Sequence, residues 1–393
     1  MFPRSEPKFE IAGPGHRDFL FVQSTTEMGG AESALLNLFA ASDALRRRSV
    51  VASLGFGKGD LPARLQAVGA AVVDLPKARL REPVKVGQSL LALRRLIRNT
   101  GARVVVANGA HPQVIGGLVA RMAGVRSVFL VNMIHAHPIW KNDFLDALAI
   151  RGPCDLMLAI SKTSLATLEK LRPDVESRLF YWGTPIREVP VDTARSTRGE
   201  LGVQDDEVLL GSFGRLQRWK GQDVFVAAAA EVARARPKSR FVVVGGSVFG
   251  LEPEYFESLQ RESAASGLAD RLRFTGYRTD VPHLMAACDV ICHTSRVPEP
   301  FGLVIVEAMA LGRPVIATVG GGPSEIISDE SDGILTPPED PGALARAMIA
   351  LIDDRDRRRA LGTRGRELVR AQFSIDIMAA ALVQHLDSLA ALT

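Results

Sequence analysis

Strand-length apolar runs alternate with helix-length amphipathic segments along almost the whole chain. In the first half the apolar runs are Phe19–Gln23, Val50–Leu54, Ala71–Leu75, Arg103–Ala107, Ser127–Val131, Leu156–Ile160 and Arg178–Tyr181. In the second half they are Val208–Phe213, Phe241–Val244, Leu272–Phe274, Val290–His293, Val315–Ala317 and Gly333–Leu335. This alternation predicts an α/β fold with parallel sheets covered by helices, in which ligands bind beyond the carboxyl ends of the strands.

A chain of 393 residues is too long for one ordinary hydrophobic core, so we expect two doubly wound domains. We place the first at residues 18–190 and the second at 191–374, after a loose tail at 1–17. The stretch Gly183–Leu201 has prolines and charges without an apolar period, which is typical of a linker. The chain has no apolar run of the roughly 18–20 residues that a spanning helix needs, and the tail lacks the apolar core of a signal peptide. A cytoplasmic protein is therefore expected.

Positive charge is concentrated in the first half of the chain. Residues 1–190 hold 25 Lys and Arg against 16 Asp and Glu, whereas residues 191–393 hold 23 against 28. The basic segment Lys77–Lys85 precedes an amphipathic stretch that carries Arg94, Arg95 and Arg98. An ordinary amphipathic helix on the sheet explains this stretch. The alternative is peripheral contact with anionic lipid at the inner face of the cell membrane.

Two glutamates, Glu299 and Glu307, bracket a loop and a helix start that follow the strand Val290–His293. The helix is predicted to run from Leu303 to Leu311 and to end at Gly312. Free backbone N–H groups at a helix start bind phosphate, so this geometry suits a diphosphate with one carboxylate on either side of it. A bare pair of glutamates at this spacing is more often a solvated loop and helix surface.

Arg215 and Lys220 lie five positions apart in one strand-to-helix loop, so both side chains can reach a single anionic group above the sheet. The loop after the first strand contains Gly29 and Gly30 but no Gly-x-Gly-x-x-Gly, which disfavours a nicotinamide dehydrogenase. Adjacent glycines allow a ligand to approach the backbone closely, although a tight turn explains them equally well. No convincing metal site is found.

Five ordered motifs extend this pattern: Gly214-Arg215-Leu216 with Lys220-Gly221, Val242–Gly246, Phe274–Tyr277, the glutamate pair, and Gly320–Glu325. Their order and spacing resemble the retaining glycosyltransferases of family 4, from about residue 18 to the C-terminus and most strongly between 211 and 337. The resemblance implies the GT-B fold, in which two Rossmann-like domains face each other across a cleft. It also implies that the last helix, 375–393, crosses back to the first domain.

The resemblance implies transfer of a hexosyl unit from a UDP- or GDP-linked sugar to an acceptor hydroxyl, with retention of configuration and without a metal or cofactor. Arg215 and Lys220 would neutralise the diphosphate, Glu299 would contact the hexose and Glu307 the ribose. Further donor contacts are assigned to Gly29, Gly30, Gly214, Gly276, Tyr277, Phe301, Gly302, Leu303 and Val304. The acceptor would be a glycan, a lipid-linked group or a small molecule, and no nucleic-acid partner is expected. Glu325 is expected to stabilise its loop.

His111, at the start of the helix after Arg103–Ala107, matches the family's His-Pro position and would contact an acceptor or transferred-sugar hydroxyl. His135 and His137 are rivals for this role. The family often has His-x-His before this proline, whereas this chain reads Asn108-Gly109-Ala110-His111, which leaves the acceptor type open. A sugar-nucleotide epimerase of the same fold and a non-catalytic sugar-nucleotide-binding protein remain alternatives.

Overall fold

The computed structural model describes residues 16–75, 77, 79–132, 143–246 and 252–392. The chain forms two compact units. The first comprises Met1–Ile160, Ser164–Phe180 and Met378–Thr393, and the second comprises Ser161–Thr163 and Tyr181–Ile377. The predicted tail at 1–17 lies almost entirely outside the described residues.

In its described part, the first unit has a seven-stranded parallel sheet in the order β3-β2-β1-β4-β5-β6-β7. The strands are β1 (Phe19–Thr25), β2 (Ser49–Phe56), β3 (Ala71–Asp74), β4 (Val104–Asn108), β5 (Arg126–Val131), β6 (Leu156–Ala159) and β7 (Glu176–Leu179). The helices are α1 (Gly30–Ala41), α2 (Asp43–Arg48), α3 (Leu61–Ala67), α4 (Pro83–Thr100), α5 (Ala110–Ala123), α6 (Asp143–Arg151) and α7 (Lys162–Leu171). The central strands are apolar on both faces because helices cover both sides of the sheet.

The second unit has a six-stranded parallel sheet within the described ranges, in the order β10-β9-β8-β11-β12-β13. The strands are β8 (Val208–Phe213), β9 (Ser239–Val244), β10 (Leu272–Gly276), β11 (Val290–His293), β12 (Val315–Thr318) and β13 (Ile334–Thr336). The helices are α8 (Val191–Glu200), α9 (Gln222–Ala235), α10 (Pro253–Ala265), α11 (Val281–Ala287), α12 (Leu303–Ala310), α13 (Pro323–Ile326), α14 (Pro341–Asp353) and α15 (Arg355–Gln372). A last helix, α16 (Ile375–Ala390), follows.

Each sequence-predicted strand is present, with bounds that differ by at most two residues at either end. The α/β fold class with two doubly wound parallel sheets is therefore confirmed. Most of α16 belongs to the first unit, where Arg178 contacts His385 at 3.0 Å and Arg48 forms an ion pair with Asp387. No helix in the described part of the chain is long and apolar enough to cross a bilayer.

The linker interpretation of Gly183–Leu201 is wrong for its second half, which forms α8. Arg198 on this helix donates to Asp289 Oδ2 and to the Ala287 carbonyl, each at 2.9 Å. Polar contacts thus hold α8 to the unit, and an apolar period is not needed to place it. The division between the units also falls after Phe180 and not at residue 190.

The backbone around Gly183 and Thr184 explains why the division between the units comes before residue 190. Thr184 pairs with Ser374 as a parallel bridge, through bonds from Thr184 N to Phe373 O and from Ile375 N to Thr184 O. A Cβ on Gly183 would lie 2.6 Å from Ser374 O, so this close approach requires glycine. The segment after Phe180 is therefore built into the second unit.

Candidate active site

The strand order of the second sheet reverses between β8 and β11, so the loops that follow these two strands are neighbours. Thr294 Oγ1 donates to the Gly221 carbonyl at 2.8 Å, and Arg296 N donates to the Trp219 carbonyl at 2.8 Å. Gly221 has φ +67°, and a Cβ there would lie 2.0 Å from Thr294 O. Glycine is required at this contact because it removes both the strain and the clash.

The joined loops bring Lys220 and Glu299 together. Lys220 Nζ donates to Glu299 Oε1 at 2.9 Å and to Oε2 at 2.7 Å, and it lies 4.1 Å from the centroid of the Trp219 ring. The Lys220 and Glu299 side chains are only 17% and 10% exposed. These residues were expected from the sequence to contact different parts of the donor, whereas the structure pairs them with each other.

Two further side chains hold Glu299 in place. Ser295 Oγ donates to Glu299 Oε2 at 2.7 Å, and His293 Nε2 lies 3.2 Å from the same oxygen. Burial alone would raise the pKa of Glu299, but the Lys220 charge and the His293 contact outweigh it and hold the pKa well below its usual range. Glu299 is therefore a carboxylate. The contacts of His293 and Ser295 with Glu299 were not predicted from the sequence. In the sequence these two residues only mark the end of an apolar run.

Arg215 differs from Lys220 in having no ion-pair partner among the residues that the structure describes. Gln222 Nε2 donates to the Arg215 carbonyl at 2.8 Å, which fastens the loop through its backbone and not through the guanidinium. The pKa of Lys220 is lowered, mainly by burial and in the same direction by the charge of Arg215. A cation without a carboxylate partner beside a second cation is suited to bind an anion.

The glutamate motif continues into α12, which begins at Leu303 after Gly302 with φ +97°. The first N–H groups of this helix have no partners within the helix. Gly322 N donates to the Glu299 carbonyl at 2.8 Å, and a Cβ on Gly322 would lie 2.0 Å from the Phe301 carbonyl. The glycine run after β12 therefore packs directly against this loop and positions the helix start.

The Phe301 side chain is buried and packs against the rings of Tyr181 and Phe373, at centroid distances of 5.9 and 6.0 Å. Its ring therefore belongs to an aromatic cluster of the second unit. In this arrangement only the backbone of Phe301 is left for the predicted donor contact. Leu303 and Val304, by contrast, are partly exposed at the helix start.

Glu307 lies on α12, where it is half-buried and forms no ion pair within the described ranges. Burial raises the pKa of Glu307 to about 7, although the nearby charge of Arg187 opposes this effect. The two glutamates of the motif therefore differ in charge near neutral pH. Glu299 is ionised, and Glu307 is close to its midpoint.

Gly214, Gly276 and Tyr277 follow neighbouring strands of the same sheet. Gly214 N donates to the Val244 carbonyl at 3.0 Å, and Gly245 N donates to the Gly276 carbonyl at 3.1 Å. These bonds link the loops after β8, β9 and β10 at the carboxyl edge. Tyr277 is 56% exposed there. The structure thus places Gly214, Gly276 and Tyr277 at the same edge of the second sheet.

The predicted site residues of the first unit lie at its own carboxyl edge. A Cβ on Gly29 would lie 2.7 Å from Glu32 Oε2, whereas a Cβ on Gly30 would meet nothing within 4 Å. His111 lies in the first turn of α5, with its ring edge-on to Phe56 at a centroid distance of 5.0 Å. The rival histidines at 135 and 137 lie outside the described residues.

Glu325 accepts four hydrogen bonds within the second unit. The donors are Lys162 N, Thr163 N, Thr163 Oγ1 and Tyr181 Oη, at 2.8 to 3.2 Å. These contacts join Glu325 to residues 162, 163 and 181 and not to its own glycine loop, so the expected role in that loop stays a prediction.

Comparison with known proteins places the chain in a family. The family model described as glycosyl transferases group 1 matches residues 194–368. A GDP-mannose-dependent alpha-(1-6)-phosphatidylinositol monomannoside mannosyltransferase of Mycobacterium tuberculosis is 31% identical over 75% of this chain and 78% of that relative. The chain belongs to the glycosyl transferases group 1 family. The family resemblance seen in the sequence is thereby confirmed.

Two other known proteins are also similar to this chain. The lipopolysaccharide core biosynthesis mannosyltransferase LpsB of Rhizobium meliloti is 31% identical over 60% of this chain and 66% of its own length. A crystal structure of HepE from Anabaena in complex with UDP-glucose has a TM-score of 0.84 and 27% identity. It covers 95% of this chain and 100% of that one.

We predict that Lys220→Met lowers the free energy of unfolding by about 3–5 kcal/mol, because Glu299 would then be buried without its cation. Adding Glu299→Gln should restore most of the loss, because it removes the unpaired charge. Urea denaturation of the single and double variants measures both effects. Lys238→Met is the control. Its ion pair with Asp206 is exposed to solvent, so its loss should change the free energy of unfolding far less than the loss of the buried pair.

Losses that simply add in the double variant would contradict the role of Lys220 as the countercharge of Glu299.

Proposed function

We propose that this glycosyltransferase moves a hexosyl unit from a nucleoside diphosphate sugar to an acceptor hydroxyl with retention of configuration and without a metal ion. The observation that carries the proposal is the cluster at the strand-order reversal of the second unit. There Lys220 is paired with Glu299, whereas Arg215 has no carboxylate partner in the described part of the chain. These residues adjoin the loop that leads into α12.

The named relatives support a nucleotide-sugar donor. HepE was crystallised with UDP-glucose, and the M. tuberculosis relative is named as dependent on GDP-mannose. Because these two donors differ in both base and sugar, they support a donor of this class without selecting one. The name of the M. tuberculosis relative mentions a phosphatidylinositol monomannoside, and the name of the R. meliloti relative mentions the lipopolysaccharide core. They support an acceptor that is a sugar carried on a lipid.

The chemistry follows from the charge that develops on the leaving group. As the bond between the sugar and the phosphate breaks, negative charge builds on the diphosphate, where Arg215 and Lys220 would stabilise it. Lys220 would then be shared between the diphosphate and Glu299. The departing phosphate oxygen takes the proton of the acceptor hydroxyl as the new glycosidic bond forms on the same face of the sugar. The protein contributes position and charge.

We predict that Arg215→Ala lowers kcat by on the order of 100-fold, because a transition-state cation at the leaving phosphate is lost. Arg218→Ala is the matched control, since this neighbouring side chain is 66% exposed and its ion pair with Glu252 is long, at 3.9 Å. Sugar transfer and donor hydrolysis are measured with UDP-glucose and GDP-mannose in excess EDTA. Activity should persist under these conditions.

Equal turnover of the two arginine variants would contradict the assignment of Arg215. Loss of activity in EDTA with rescue by Mg²⁺ or Mn²⁺ would contradict the metal-free mechanism. Conversion of the donor to an isomeric nucleotide sugar without acceptor would indicate an epimerase instead.

The ribose role of Glu307 leads to a pH-dependent affinity. Its pKa of about 7 means that the carboxyl is protonated below neutrality, and the ionised form is the better acceptor for two ribose hydroxyls. Affinity for the intact nucleotide sugar should therefore rise as pH increases towards 7, by up to about tenfold per pH unit, and then level off. The nucleotide sugar is the ligand of choice because its diphosphate is esterified at both ends and does not titrate here.

Calorimetry on the wild type and on Glu307→Gln measures this dependence. The glutamine variant cannot titrate, so its affinity should be nearly independent of pH. A wild-type profile as flat as that of Glu307→Gln would contradict the ribose contact.

We also propose that α4 rests on anionic lipid. Val84 and Leu91 are 74% and 55% exposed on the same face as Arg95 and Arg98, while Leu93 and other apolar residues of α4 are buried. Exposed apolar and basic side chains on one face suit the surface of an anionic bilayer, where each basic residue contributes about 1 kcal/mol.

Binding to vesicles that contain phosphatidylserine should be weakened at high salt and by Arg95→Glu plus Arg98→Glu. Arg355→Glu plus Arg359→Glu on exposed positions of α15 is the control with the same charge change. A wild-type protein that does not bind these vesicles even at low salt would contradict the membrane contact.

A further inference from the structure

A row of hydrogen-bonded polar side chains crosses the carboxyl ends of three neighbouring strands in the first unit. Gln23 Nε2 donates to Glu32 Oε1 at 3.1 Å, Asn108 Nδ2 donates to Gln23 Oε1 at 2.8 Å, and Asn132 Nδ2 donates to Asn108 Oδ1 at 2.6 Å. Gln23 and Asn108 are 1% and 4% exposed. We call these four residues the amide relay.

The relay has a direction that Glu32 sets. A carboxylate only accepts hydrogen bonds, so Gln23 must turn its NH₂ group towards Glu32 and its oxygen towards Asn108. Asn108 must then turn its own oxygen towards Asn132. Reversing any one amide would place two oxygens or two NH₂ groups in contact. The Asn132 amide is therefore oriented with its oxygen as the free end.

This oxygen, Oδ1 of Asn132, is buried and has no hydrogen-bond partner in the part of the chain that the structure describes. A buried acceptor without a donor is costly, and such groups are commonly completed by a ligand or by water. The relay also crosses the strand-order reversal between β1 and β4, where sheets of this type bind ligands. Asn132 directly follows β5, the next strand along.

We propose that Asn132 accepts a hydrogen bond from a sugar hydroxyl, and that Glu32 acts through Gln23 and Asn108 as a positioning residue that keeps this acceptor turned towards the ligand. The proposal rests on the proposed function in taking the ligand to be a sugar. The hydroxyl belongs either to the transferred hexose or to the acceptor. The chemistry is the same in both cases, and separate experiments distinguish the two sources.

Substitutions at the two ends of the relay test its direction. Asn132→Asp places an acceptor at both ends, so one contact inside the relay must join two oxygens. Glu32→Gln can either accept from Gln23 or donate to it, so both directions become accessible. In the double variant the relay reverses as a whole. The glutamine at position 32 donates to Gln23, the amides of Gln23 and Asn108 are each rotated by 180°, and the aspartate at position 132 accepts from Asn108. The second oxygen of this aspartate still faces the ligand.

Sugar affinity should follow this pattern. Asn132→Asp is expected to weaken it by about tenfold or more, because repulsion between the two oxygens that meet inside the relay turns the carboxylate at position 132 away from the ligand. Glu32→Gln should weaken it by about twofold, because about half of the molecules would present the wrong amide end. The double variant should bind within about twofold of the wild type. Asn99→Asp, an exposed change of the same kind in this unit, is the control and should have no effect.

Two affinities are compared in each variant. The contribution of the transferred hexose is the affinity for UDP-glucose or GDP-mannose relative to that for UDP or GDP, measured by calorimetry. The acceptor is represented by methyl α-D-mannopyranoside and methyl α-D-glucopyranoside, followed by ligand-observed NMR with the nucleoside diphosphate present. The affinity that shows loss and rescue identifies the source of the hydroxyl.

Thermal unfolding of the same variants separates this proposal from the proposed function, because the coupling between positions 32 and 132 does not require activity. An Asn132→Asp loss of stability that is the same in the wild type and in the Glu32→Gln variant would overturn the directional relay. Coupling in stability with unchanged affinity for both sugar probes, or a wild type that binds neither probe, would overturn the sugar contact. Absence of sugar transfer by a wild type that shows rescue in binding would instead contradict the proposed function alone.

Discussion

The strand order of each sheet reverses at the first strand of its unit, β1 or β8. The polar side chains of the proposed sites lie at these two reversals. At such a point the helices that follow adjacent strands lie on opposite faces of the sheet, so the loops separate and leave the strand ends accessible. In the second unit the reversal lies between β8 and β11 and carries Arg215, Lys220 and Glu299. In the first it lies between β1 and β4 and carries Gln23 and Asn108.

The two reversals are stabilised by different polar interactions. In the second unit a buried ion pair joins the loops, and Ser295 and His293 complete the hydrogen bonds of its carboxylate. Such a pair is costly to break, so a diphosphate that shares Lys220 must leave Glu299 with its other partners. In the first unit neutral amides form the row, and only its end carries a charge. The ion pair can therefore respond to an anion, whereas the amide row gives direction to a hydrogen bond.

Much of this arrangement was predictable from local pattern. The strands appeared where apolar runs of three to six residues lay between helical segments, and the helix Leu303–Ala310 began and ended almost where Gly302 and Gly312 indicated. The helix α8 was missed because Arg198 holds it through polar contacts, which leave no apolar period. The assignment of Lys220 and Glu299 to different parts of a donor overlooked their contact, because residues 79 positions apart in the chain are joined only by the pairing of β8 with β11.

The sequence by itself determined the α/β class, the two sheets, the family and the loops that carry its motifs, because these depend on periodicity and on residues close together in the chain. The tertiary structure alone decided which polar groups meet. The contact of Glu299 with His293, the pKa of Glu307 and the direction of the amide relay depend on strand order and burial. Glu32, Gln23, Asn108 and Asn132 come from separate segments, and no local pattern relates them. Their hydrogen bonds exist because adjacent parallel strands end at the same edge of the sheet.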